Sequence, residues 1–134
     1  MDYVVLDTDV ASLSFKKRQL PPPVVTSLVG NQPCITFVTY AELVKWSVLR
    51  QWGELYRQRL ELWLRNVVVL PYDEDVARTW GTIAAYAVRR GRPRPQNDMW
   101  IAACCLSYGV ALATLNLKDF TDFAEHEGLL LVGR

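Results

Sequence analysis

Asp7, Glu42, Asp98 and Asp119 lie far apart in the chain, yet each stands where an apolar segment gives way to a predicted helix start. Ionised carboxylates are hydrogen-bond acceptors only, and several gathered in one place repel unless a cation joins them. The counterions that suit such a set are Mg²⁺ or Mn²⁺, which bind through a few carboxylates and leave room for phosphate oxygens. An ion held in this way polarises a phosphate, generates hydroxide from water and stabilises the leaving oxygen in an in-line displacement. The pattern therefore points to hydrolysis of a phosphodiester. Zinc has little support: the one histidine, His126, lies in the polar run Ala124-Glu125-His126-Glu127 and is expected at the surface. Cys34, Cys104 and Cys105 show no CxxC spacing and read as small core residues.

For any one acid a simpler account exists. Thr39-Tyr40-Ala41-Glu42 has the form of a capping box, with Thr39 at the N-cap and Glu42 three residues on. Asn97-Asp98 and Asn116-Leu117-Lys118-Asp119 equally suit helix starts, where Asn and Asp satisfy free backbone N–H groups and oppose the dipole. Arg89, Arg90, Arg92 and Arg94 lie shortly before Asp98, stiffened by Pro93 and Pro95. They read either as a grip on a phosphate backbone or as a solvated loop.

The elements around these residues alternate between short apolar strands and helices. Tyr3 to Leu6 is a strand that delivers Asp7 to its end, followed by a helix from about Asp9 to Lys17 and another from Pro23 to Leu28. Cys34 to Val38 is a second strand. An amphipathic stretch carries Leu43, Trp46, Leu49, Leu55, Leu60, Trp63 and Leu64, with a break near Gly53. Val67 to Leu70 is a third strand, Asp73 to Arg90 and Asn97 to Tyr108 are helices, and Val110 to Ala113 and Leu129 to Val132 are the last strands. The class is α/β: an α/β/α sandwich with a short, mainly parallel sheet of four to five strands. In such a sheet all strand-to-helix turns open on one edge, so acids at four turns can converge.

At 134 residues and 51% hydrophobic content the chain suits one domain over residues 1–134. Its 15 basic and 14 acidic residues leave a formal charge of +1, which excludes a global field that draws it to nucleic acid or membrane. No apolar run approaches the length of a membrane span, and a cytoplasmic protein is expected.

The runs Leu6-Asp7-Thr8-Asp9, Thr39-x-x-Glu42-Leu43, Asn97-Asp98-x-x-Ile101-Ala102-Ala103 and Ala113-Thr114-x-Asn116-x-x-Asp119-Phe120 together resemble the PIN-domain family. The length, with motifs spanning nearly the whole chain, is similar to the VapC-type toxins of bacterial toxin-antitoxin pairs. The resemblance implies a Mg²⁺- or Mn²⁺-dependent endoribonuclease acting on structured RNA (tRNA, rRNA or mRNA). It also implies a homodimer restrained by a VapB-type antitoxin whose tail covers the active site. Asp7, Glu42 and Asp98 match the core acids, and Thr8 and Thr114 match positions that orient water or neighbouring ligands. Many relatives carry Asn where Asp9 stands, and several carry the fourth acid at the position of Asn116. Either Asn116 or Asp119 then completes the site, and Asp9 either reaches the ion or caps a helix.

Two other readings remain. Val4-Val5-Leu6-Asp7-Thr8-Asp9 also resembles the nucleophile motif of haloacid-dehalogenase-type phosphatases, although Val10 and Ala11 replace the usual residues after the second Asp. In a non-catalytic binding module the acids would serve only as a cation-stabilised scaffold. Five tryptophans, three of them between Trp46 and Trp63, point either to a self-association or antitoxin surface or to a well-filled core.

Overall fold

A computed structural model describes residues 2–133. Its strands β1 (Tyr3–Leu6), β2 (Gln32–Thr36), β3 (Val68–Leu70) and β4 (Ala111–Ala113) form one sheet in the order β3-β2-β1-β4, every pair parallel. Helices α1 (Thr8–Phe15), α2 (Pro22–Ser27), α3 (Phe37–Leu49), α4 (Glu54–Asn66), α5 (Glu74–Arg89), α6 (Gln96–Tyr108) and α7 (Leu117–Glu127) supply the crossovers. The expected α/β/α class is the observed one.

Strand alternation sorts the core into two layers. Val5, Cys34 and Leu112 face one side and pack with Val76, Ile83, Ile101, Phe120 and Phe123 from α5, α6 and α7. Val4, Leu6, Ile35 and Ala113 face the other and pack with Val10, Val24, Leu43, Leu60 and Leu64 from α1 to α4. Because both faces are covered, β1, β3 and β4 read as unbroken apolar runs rather than as alternating ones. Helix α6 is enclosed: Ile101 to Cys105 are all buried, and Gly109 ends the helix at φ 70°, a left-handed conformation that suits glycine. The cysteines are core residues, and burial pushes Cys34 up to about 11 and Cys104 to about 12, so neither thiol is a ready nucleophile.

The second strand corrects its expected bounds. It ends at Thr36 rather than Val38, because the Thr36 hydroxyl accepts the Thr39 N–H at 3.3 Å and caps α3, drawing Phe37 and Val38 into its first turn. Thr36, not Thr39, is therefore the N-cap. Pro33 is accommodated in β2 because β3 begins pairing only at Cys34. The expected last strand shrinks to a single parallel bridge, Leu112 to Leu131, since β4 has only three residues to pair. Leu112 N–H donates to the Leu130 carbonyl and Val132 N–H to the Leu112 carbonyl, each at 2.9 Å.

The aromatic load between Trp46 and Trp63 is also placed. Trp52, Tyr56 and Trp63 gather around Phe15, with ring centroids 5.3 to 6.2 Å from it. The large apolar side chains left outside on α3 and α4 are Tyr40, Val48, Leu49, Leu55 and Leu62. Among the described residues no helix is long and apolar enough to cross a membrane.

One ion-pair group closes the far end of α5. Arg90 donates from Nη2 to Asp122 Oδ2 at 2.7 Å and to Glu127 Oε1 at 3.0 Å, joining α5 to α7. Burial alone would raise the Asp122 pKa, but hydrogen bonds and charge from Arg90 outweigh it and hold the carboxyl below its ordinary value. Its contribution to stability is accordingly complete above the unfolded-state value and is lost as pH falls below it. Asp122→Ala leaves Arg90 with half its pairing, and urea titration at pH 7 should show a loss of about 2 kcal/mol with an unchanged m value.

Candidate metal centre

Asp7 follows β1 at the carboxyl edge of the sheet and is the N-cap of α1. Only 6% exposed, its carboxylate is held at both oxygens: Oδ1 accepts the Thr8 N–H and Oδ2 accepts the Thr114 hydroxyl, each at 2.8 Å. Its own N–H donates to the Ala113 carbonyl at 2.9 Å, which fixes the ends of β1 and β4 side by side. The rotamer is therefore locked from two strands.

Glu42 reaches the same edge from the second turn of α3. The Thr8 hydroxyl donates to Glu42 Oε1 at 2.8 Å and lies 2.9 Å from the Thr39 hydroxyl. A threonine has one O–H proton, so with Thr8 donating to Glu42 the Thr39 hydroxyl donates to Thr8. The order Thr39 to Thr8 to Glu42 aims a carboxylate from α3 at the mouth of β1, and the capping role expected of Thr39 and Glu42 is not what holds them.

Asp98 occupies the first turn of α6, whose N-cap is Pro95 with no side-chain cap bond, so Asp98 is not spent on capping. Asn116 is the N-cap residue of α7, but its side chain makes no cap bond. Its backbone N–H donates to the Thr114 hydroxyl at 3.0 Å, and its Nδ2 donates to Asp9 Oδ2 at 3.3 Å. Asp9 is exposed in the first turn of α1 and is not the cap, which is Asp7. Asp119 faces Arg94, with 3.6 Å between Oδ1 and Nη2.

Their charges act on one another. Burial raises the Asp7 pKa first, against hydrogen bonds from Thr114 and Thr8, and Asp9 and Glu42 raise it further. Burial likewise pushes Asp98 up to about 6, reinforced by Asp7, Asp119 and Glu42 and opposed by Arg94. The four acids marked by the sequence thus share one electrostatic field. Among the described residues no three His, Cys, Asp or Glu side chains already converge on a single point, so an ion would have to draw the carboxylates inward. Hard oxygen donors carrying charge that nearby residues leave largely unneutralised fit Mg²⁺ or Mn²⁺, and Asp7, Glu42 and Asp98 are the side chains that could hold such an ion.

The arginines divide. Arg90 belongs to the Asp122 and Glu127 group, and Arg94 leans on Asp119. Arg89 lies over the Tyr86 ring at 6.0 Å, and Arg92 is exposed. His126 is exposed, 3.6 Å from Asp122, and takes no part in the acid group. Sequence reasoning missed two neighbours of the site, Phe37 and Trp100. Trp100 follows Asp98 by two residues, but no pattern in the chain brings Phe37 beside it. A cavity of about 500 Å³, between Phe15, Lys16, Tyr56 and Trp63, is lined by none of the acids.

An all-parallel sheet whose strand ends gather these acids has the form of a PIN domain, and the PIN-domain family model matches residues 4–126. The chain belongs to the PIN-domain family. Within it the chain is of VapC type. It is 34% identical over 118 residues to Ribonuclease VapC1 of Haemophilus influenzae (strain R2866), covering 87% of this chain and 88% of that one. It is 32% identical over 126 residues to Ribonuclease VapC5 of Mycobacterium tuberculosis, covering 92% and 87%. The structure of VapBC-1 from nontypeable Haemophilus influenzae superposes with a TM-score of 0.79 at 27% identity, over 98% of this chain and 96% of that one. Family membership decides between the two enzyme readings of Val4 to Asp9 in favour of a nuclease.

The raised Asp98 value has a measurable sign. Its folded pKa of about 6 exceeds the ordinary value of 3.8, so the fold favours the protonated acid. That contribution is full below the unfolded value and is lost as pH rises through about 6. Asp98→Asn should therefore stabilise the metal-free protein by about 1–2 kcal/mol at pH 7.5, after discount for partial exposure, and hardly at all at pH 4. Thermal melts in EDTA at the two pH values measure the difference.

Proposed function

We propose that this chain is a Mg²⁺- or Mn²⁺-dependent endoribonuclease, the toxin of a toxin-antitoxin pair, that hydrolyses phosphodiester bonds in structured cellular RNA. The observation that carries the reading is the shared field of Asp7, Glu42 and Asp98 at the carboxyl edge of the sheet, with Asp7 and Asp98 both pushed up. When bound, a divalent ion polarises the phosphate and makes water a nucleophile at neutral pH.

The chain's own residues supply position. Thr114 and the Thr8 N–H fix both oxygens of Asp7, and Thr8 and Thr39 fix Glu42, so neither carboxylate must be ordered when substrate arrives. Asp98 presents a third carboxylate from α6. Asn116 holds Asp9 at the rim, where that acid can take a water bound in the site, and Asp119 is steadied by Arg94. In-line attack of water yields a 5′-phosphate and a 3′-hydroxyl. Arg89, Arg92 and Arg94 are the cations offered to the RNA backbone, while Arg90 stays with the fold.

A VapB-type antitoxin and a homodimer belong to this reading. Support for the partner comes from the VapBC structure that the fold matches and from the exposed aliphatic side chains Val48, Leu49, Leu55 and Leu62. The absence of a membrane-crossing helix among the described residues is consistent with a cytoplasmic site of action.

Purified total cellular RNA incubated with the chain in Mn²⁺ should give discrete fragments. EDTA should abolish them, and Asp7→Asn should lower the rate at least a hundredfold while leaving the thermal midpoint unchanged or raised. An Asp7→Asn protein that cuts RNA as fast as the parent sinks the reading.

A further inference from the structure

The helix faces that carry Glu42 and Asp98 each have a neighbouring stripe of different chemistry. On α3, Phe37, Ala41 and Lys45 recur every fourth residue, one position round from Val38 and Glu42. On α6, Asn97 and Trp100, three residues apart, share one face, with Asp98 one position round from Asn97. The two stripes meet, and Phe37, Ala41, Glu42, Lys45, Asn97 and Trp100 line a cavity of about 280 Å³.

The aromatic wall of this cavity is built in advance. Phe37 and Trp100 meet edge to face with centroids 5.9 Å apart, and Tyr72 closes on them at 6.1 and 6.2 Å. Trp80 stacks behind Trp100 at 5.0 Å and 23°, so the Trp100 ring is braced from the side of the core. Ala41 leaves the space between Phe37 and Lys45 open, while Lys45 and Asn97 stand exposed.

We infer that this cavity is a nucleobase subsite: an unpaired base beside the scissile phosphate stacks on Trp100 and meets Phe37 edge to face, with Asn97 at its polar edge and Lys45 at a flanking phosphate. The inference rests on the nuclease reading and adds where the bases of the substrate go.

Continuity decides the occupant. Glu42 belongs to both the acid group and the cavity wall, and Asn97 precedes Asp98, so whatever fills the cavity lies beside the reacting phosphate. An aromatic corner with one amide and one cation matches the ring, the polar edge and the anion of a nucleotide. Sequence-selective RNA recognition works on such unstacked bases, and the stacking contact tolerates any of the four while polar groups at the edge discriminate. A second copy seated here would cover Glu42 as well and close the mouth to substrate.

The test begins with total cellular RNA cut in Mn²⁺ by the parent, Trp100→Phe, Trp100→Leu and Lys45→Gln, with the fragment ends sequenced. An oligonucleotide copied from the most frequent parental cut, and versions with an abasic residue on either side of that cut, are then bound to the same proteins carrying Asp7→Asn. One abasic replacement should weaken binding roughly ten- to a hundredfold for the parent and for Trp100→Phe, but by less than about threefold for Trp100→Leu. Base preference at that position in the sequenced ends should vanish with Trp100→Leu. Lys45→Gln, a change at an exposed site, should raise KM with little change in kcat and supports the subsite even where Trp100→Leu fails to fold.

An abasic penalty of equal size in Trp100→Leu, or an unmoved KM in Lys45→Gln, overturns the inference. So does a parental dimer that falls to monomer in Trp100→Leu with the penalty unchanged, which gives this face to a second copy. RNA cut by the parent with no preference on either side of the bond overturns the subsite alone, whereas a parent that cuts no RNA overturns the nuclease reading and the subsite with it.

Discussion

The interaction on which the rest depends is the burial of the Asp7 carboxylate between two strand ends. A carboxylate taken out of water is costly unless hydrogen bonds replace its hydration. Here the Thr8 N–H and the Thr114 hydroxyl do so, and the Ala113 carbonyl receives the Asp7 N–H, so the acid also joins β1, β4 and α1. Compensation is incomplete, as the raised pKa shows. The fold holds a charge that it stabilises only in part, which is the condition under which a cation binds well.

Elsewhere the same protein pairs its buried acids with an arginine. Asp122 and Glu127 both take Arg90, and the Asp122 pKa falls rather than rises. Two acidic groups in one small domain thus have opposite fates, set by whether an arginine can reach them. Arg94 shows the intermediate case: it pairs with Asp119 and lowers Asp98 a little without cancelling the push from Asp7 and Glu42. Placing the one guanidinium in the α5 to α7 joint and the other at the rim keeps the centre negative.

Helices α3 and α6 divide their surfaces with similar economy. Each turns one stripe into the core, a second toward the acid group and a third, aromatic and cationic, toward the cavity lined by Trp100 and Lys45. A helix advances about 100° per residue, so neighbouring residues in sequence serve different functions a few ångströms apart. Asp98 and Trp100, or Glu42 and Lys45, are kept in fixed relation by the backbone alone. Across the two helices the relation is set by packing of Val38, Met99 and Ile101 on the sheet.

What the sequence determined by itself was the class of fold and the acids that follow strands, Asp7, Glu42 and Asp119; Asp98 follows α5 rather than a strand, and the packing of α6 brings it into the same field. Apolar runs such as Val4 to Leu6 and periodic helices such as Asp73 to Arg90 are local patterns, and a parallel sheet sends all its turns to one edge whatever the details of packing. Element ends were less legible: Thr36 and Thr39 are both able to cap, and only the hydrogen bond to the Thr39 N–H selects Thr36. The roles of the polar residues were decided by tertiary structure. Glu42 and Asn116 look like caps in the chain, but their side chains are taken by Thr8 and Asp9, 34 and 107 residues away, and Asp98 lies past the N-cap position, which Pro95 occupies. Arg90, one of a run of arginines, is distinguished from Arg92 only by acids 32 and 37 residues away. Hydrogen bonds and ion pairs act over a few ångströms, so which of them form depends on chain segments that no local pattern relates.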